Sequence, residues 1–80
     1  MLLIDKNILN KRFELINMIK LKRKILNYSQ KDVGNKIDTP QQSISLIEKY
    51  ERCPSLDTFI KYAGVMGYEV TLIDKNSILK

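Results

Sequence analysis

Apolar positions recur every three or four residues over most of the chain and alternate every second residue near its end. That switch predicts several amphipathic helices followed by one strand. The first helix is predicted over residues 14–26, where Leu15, Ile16, Ile19 and Leu26 share a side and no breaker intervenes. Asp5 or Asn10 can cap its start, and Asn27, tolerant of positive φ, supplies its stop. Ser29 then caps a short helix over residues 30–37, with Asp32 in the capping-box position and Val33 and Ile37 on one face. Asp38-Thr39-Pro40 reads as a tight turn: Asp38 accepts the left-handed conformation, Thr39 can cap, and Pro40 suits the first helical position. A third helix runs from Gln41 to about Tyr50 with Ile44 and Ile47 inward. After the loop Arg52-Cys53-Pro54, Ser55 caps a fourth helix whose inward set is Leu56, Phe59, Ile60, Ala63 and Val65 or Met66, and Gly67 ends it.

The alternation over residues 68–73 (Tyr68-Glu69-Val70-Thr71-Leu72-Ile73) predicts a single β-strand. A lone strand needs a ladder partner. Met1 to Ile4 is the other candidate in the chain, so the strand pairs either with the amino terminus or with its twin in a dimer.

Eighty residues make one domain. A chain this short buries only roughly 60% of its unfolded surface, which favours compact helices and association with a second copy. The opening Met1-Leu2-Leu3-Ile4 is too short for a secretory leader, and no apolar run reaches the length of a membrane span, so an untargeted cytoplasmic protein is expected. The single cysteine, Cys53, and the absence of histidine leave neither an internal disulfide nor the usual zinc ligands, and they remove the commonest general base. No cofactor and no catalysis are expected.

Charge changes the picture more than composition does. Of a net +5, residues 20–36 hold +5 by themselves, with Lys20, Lys22, Arg23, Lys24, Lys31 and Lys36 against Asp32 alone. Concentrated positive charge is the electrostatic footprint of a polyanion, usually nucleic acid.

The two short helices joined by a tight turn over residues 29–48, with Val33, Ile37, Ile44 and Ile47 setting their angle, form a helix-turn-helix. The segment from Tyr28 to Ile37, followed by Pro40 to Glu48, resembles the Cro/repressor (XRE) family. Arg23 matches that family's basic residue near the end of helix one, and Pro54-Ser55-Leu56 matches the start of its helix four. Gly67 to Leu72 is similar to the carboxy-terminal strand of antitoxins of the HipB and HigA kinds, and the likeness spans residues 19–73. Two positions depart from the pattern. Gly34 stands where alanine is usual, a change that loosens helix two by up to ~1 kcal/mol. Asp38 stands where glycine is usual.

The resemblance implies a mostly α fold, a four- to five-helix lambda-repressor-like domain with a short carboxy-terminal strand. It also implies a sequence-specific repressor that binds a palindromic operator on double-stranded DNA as a homodimer. The antitoxin likeness further implies a cognate toxin protein, neutralised by this chain, and control of its own operon. A stand-alone regulator without a toxin, or an interaction module that no longer binds DNA, is the alternative.

Gln41, Gln42, Ser43 and Leu46 are the candidate base-reading residues. Glutamine pairs bidentately with the adenine edge and Leu46 fits a thymine methyl, which leans the expected site towards A·T. Arg23, Ser29, Gln30, Lys31, Lys36, Ser45 and Lys49 are candidate contacts to the DNA backbone. The resemblance implies that Gln30 braces Gln41. Glu48, which phosphate would repel, is read as structural, paired with Arg23 or capping.

Overall fold

A computed structural model describes residues 5–76, which hold four helices: α1 Lys6–Ile25, α2 Gln30–Lys36, α3 Gln41–Glu48 and α4 Leu56–Val65. The first helix starts earlier than its apolar spacing implies because Asp5 caps it, its side chain accepting from the Asn7 amide at 2.7 Å. Lys22, Arg23 and Lys24 occupy its last turn, where positive charge suits the helix dipole. Ser29 caps α2 with the full capping box, accepting from the Asp32 amide while the Asp32 carboxylate accepts from the Ser29 amide, each at 2.9 Å. Those bonds hold the Asp32 carboxyl below the usual carboxylate range.

All four helices stop in the same way. Asn27, Asp38, Tyr50 and Gly67 follow α1 to α4 with φ of 63, 54, 64 and 88°. In each case the next amide donates back over the last turn: Tyr28 to Arg23, Thr39 to Gly34, Glu51 to Leu46 and Tyr68 to Ala63, all within 2.8–3.1 Å. This closure satisfies carbonyls that a helix end otherwise leaves open. The third stop is the unexpected one, since a bulky residue in this conformation is uncommon. Tyr50 is held by an edge contact with Phe13 of α1, ring centroids 4.9 Å apart, and α3 consequently ends at Glu48 rather than running on to Tyr50.

The core is one cluster of Ile19, Val33, Ile37, Ile44, Tyr62, Ala63 and Met66, with Tyr28, Phe59 and Val65 packed against it. In α4 the inward stripe is therefore Phe59, Tyr62, Ala63 and Met66, at helical spacing. Leu56 and Ile60, expected inside, lie on the neighbouring stripe and are exposed, Leu56 to 69%. Leu15 and Leu26 of the first helix likewise face outward, because its buried stripe runs Ile16, Ile19, Arg23. Thr39 does not cap α3. Its hydroxyl donates to the Ile37 carbonyl at 3.2 Å, and Pro40 takes the cap position without a side-chain bond.

The expected strand over residues 68–73 is absent: these residues carry neither strand nor helix, and Leu72 and Ile73 are 96% and 85% exposed. The physical reason is the ladder requirement, since no strand among the described residues pairs with them. Met1 to Ile4, the alternative partner, lies outside the described residues.

Gly34 has a different meaning from a weakened helix. A Cβ built on it would sit 2.4 Å from the Thr39 carbonyl oxygen, in the turn that folds α3 back onto α2. Backbone against backbone cannot yield as a flexible side chain would. Gly34→Ala is therefore expected to destabilise by about 1–3 kcal/mol despite alanine's better helix propensity. Thermal unfolding should show a midpoint at least roughly 4 °C lower; an unchanged or raised midpoint would contradict the close approach.

Candidate nucleic-acid interface

The interface is built outward from a buried carboxylate. Glu48, at the last turn of α3, is 3% exposed. It accepts from Arg23 Nε and Nη2 of α1 at 2.7 and 2.8 Å, from Gln30 Nε2 of α2 at 3.0 Å, and from the Tyr62 hydroxyl of α4. Arg23 Nη1 donates to the Tyr28 carbonyl at 2.7 Å, which fixes the connection between α1 and α2. Every helix thus contributes a side chain to one hydrogen-bonded centre.

The centre's charge states follow from its geometry. Burial alone would raise the Glu48 pKa, but the donors from Arg23, Tyr62 and Gln30 outweigh it and hold the carboxyl below its ordinary value. The hydrogen bond to Glu48 raises Arg23 against its desolvation, and burial together with Glu48 pushes Tyr62 well above the usual phenol range. Near pH 7 the pair is Arg⁺–Glu⁻ with a neutral tyrosine.

With Ile44, Ile47 and Glu48 inward, the helical period turns Gln42, Ser45, Leu46 and Lys49 to the opposite side of α3. Gln41 and Ser43 flank that stripe. Gln41, Gln42 and Lys49 are exposed, while Ser43, Ser45 and Leu46 are half-buried. The sequence-expected base-reading set therefore lies together on one short helix. Of the expected backbone contacts, Ser29 and Lys31 are exposed at the start of α2 and Gln30 is half-buried, its amide on Glu48 rather than on Gln41.

The remaining cations are distributed differently from their order in the chain. Arg23, expected at a phosphate, is buried, with its donors committed to Glu48 and Tyr28; an arginine at that spacing belongs to the core stripe of α1. Lys36 lies over the Tyr28 ring at 5.1 Å and Lys22 over the Tyr68 ring at 4.6 Å. The local +5 is thus partly neutralised inside and partly placed on aromatic faces.

Arg52 was not among the sequence candidates. Its Nη1 donates to Ser43 Oγ at 2.9 Å, which sets an exposed guanidinium beside a recognition helix that has no arginine of its own. A separation of nine residues across a loop gave no periodic signal for this pairing. Tyr62 as a third partner of Glu48 was equally invisible, because its contact depends on how α4 packs.

A family model described as helix-turn-helix matches residues 19–73 of the chain. The chain belongs to this family, of the Cro/repressor (XRE) type, and the domain is that of a DNA-binding transcription regulator. No curated protein and no solved structure gives a significant match. Among the described residues, no helix is long and apolar enough to cross a membrane.

Removing the charge of Glu48 tests the centre. Glu48→Gln leaves Arg23 buried and uncompensated, and the loss should be about 3 kcal/mol or more in urea denaturation. The pH dependence has a definite sign. Since the folded carboxyl titrates below the unfolded one, its contribution is complete above the ordinary glutamate value of about 4.3 and is lost as pH falls through the folded value. Wild-type stability should therefore decline in acid below that value more steeply than that of Glu48→Gln.

Proposed function

We propose that the chain is a sequence-specific transcriptional repressor that lays α3 in the major groove and binds a palindromic operator as a homodimer. The observation that carries this reading is the outward stripe of α3, polar and base-competent, on a helix whose orientation is fixed by Glu48 and its partners. Gln42 and Gln41 read adenine edges, and Leu46 meets a thymine methyl. Ser45, Lys49, Ser29, Lys31 and Arg52 hold the phosphates. Gln30 and Arg23 act from behind, positioning α2 and α3 through Glu48. Two copies place their recognition helices in successive major grooves about 34 Å apart. The protein works in the cytoplasm through binding alone, without cofactor or catalysis.

Within that reading, the chain serves as the antitoxin of a two-protein module, neutralising a toxin and repressing its own operon. The support is the likeness of Gly67 to Leu72 to antitoxin termini and the exposure of that segment. Co-expression with the product of the adjacent gene decides it. A stable complex and relief of growth arrest support the antitoxin role, and their absence leaves a stand-alone regulator.

Fluorescence anisotropy on the DNA upstream of the gene, against a scrambled duplex of equal length, tests the repressor reading. Gln42→Ala should weaken operator binding by about 1–3 kcal/mol, roughly 5- to 150-fold, and leave scrambled DNA unaffected. Lys31→Gln should weaken both duplexes alike and reduce the salt slope by about 2, roughly 1 for each copy of the dimer. Equal affinity for both duplexes in the wild type would overturn sequence-specific recognition, and binding to neither would favour the interaction module.

A further inference from the structure

The outer side of α1 carries a second apolar stripe. Met18, Leu21 and Ile25 follow one another at three- and four-residue spacing on the side away from Ile16, Ile19 and Arg23, and all three are exposed, Ile25 to 75%. A surface helix normally presents polar residues there. The segment after α4 begins beside the same helix, with Tyr68 under the Lys22 ammonium. It then sends Val70, Leu72 and Ile73 into solvent. Neither surface is covered by the chain's own described residues.

The two surfaces are complementary in charge. The stripe is flanked by Lys20, Lys22 and Lys24, and α1 has no acidic residue after Glu14. The segment over residues 68–74 carries Glu69 and Asp74 and no lysine or arginine. One is basic and apolar, the other acidic and apolar.

We propose that residues 68–74 of one copy dock across the Met18–Leu21–Ile25 face of a second copy, reciprocally about a two-fold axis. This rests on the homodimeric reading above and names its surface. The exchange is isologous, so each copy gives a tail and receives one. It removes six large apolar side chains per copy from water, Met18, Leu21, Ile25, Val70, Leu72 and Ile73. Opposite charges set the orientation.

The test is light scattering after gel filtration, with thermal melts as the folding control. Wild type should run as a dimer, and Ile25→Asp and Leu72→Asp each as a folded monomer. Ile8→Asp, exposed on α1 outside this face, should remain dimeric. In a Cys53→Ser background, mixing Ile25→Cys copies with Leu72→Cys copies should give a thiol cross-link between the two species. A monomeric wild type, dimeric Ile25→Asp and Leu72→Asp variants, or cross-linking of position 72 only to itself would each overturn the proposal. Operator binding separates the two readings. A wild-type monomer that still prefers its operator removes this surface and the homodimer but leaves sequence-specific recognition, whereas a dimer through this face with no DNA preference does the reverse. Monomeric variants should lose at least tenfold in affinity for the palindrome while keeping their preference for a single half-site over scrambled DNA.

Discussion

A carboxylate almost wholly removed from water must be met by donors from every side, and in this protein the donors around Glu48 come one from each of the other helices. The cost of desolvating two charges means that such a pair adds little net stability over an apolar replacement. Its effect is directional. Apolar contacts among Val33, Ile37 and Ile44 tolerate small rotations of α3 on α2, but a forked arginine, an amide and a phenol converging on one carboxylate do not. Helix α3 is thus oriented from behind by polar bonds and held in place by the core.

The same centre explains why the charge map of the chain differs from that of the fold. Six cations within seventeen residues read as a single basic patch along the sequence. In three dimensions one of them is the counter-ion of Glu48 and two lie on tyrosine rings, while Arg52 reaches Ser43 from beyond the helix-turn-helix. The cations left exposed beside α3 and at the start of α2 are consequently few, Lys31, Lys49 and Arg52 among them.

Much of this was legible from local rules. The Ser29 capping box, the left-handed stops at Asn27, Asp38 and Gly67, and the outward placement of Gln42 all follow from interactions spanning a few residues. The Arg23–Glu48 pair was also readable, because a carboxylate among candidate phosphate contacts demands an internal partner. What local rules missed were the contacts closed over long separations. Tyr62 rather than Leu56 or Ile60 lies on the inward face of α4, where its hydroxyl donates to Glu48, and Gly34 proved to be a steric necessity set by the Thr39 carbonyl. The terminal strand failed for the opposite reason: its alternation is genuine, but pairing is a property of two segments, and no second strand is present among the described residues.

Tyr50 ties two histories together. Its left-handed backbone disfavours an L side chain by roughly 1–2 kcal/mol, and the Phe13 ring lies where it can offset that penalty. Phe13 belongs to the part of α1 that precedes the family match, whereas Tyr50 ends the recognition helix within it. A glycine at position 50 would make the stop self-sufficient and release position 13 from any constraint. Among descendants of this chain the two sites are therefore expected to covary, an aromatic at 50 persisting only where position 13 keeps a ring to receive it.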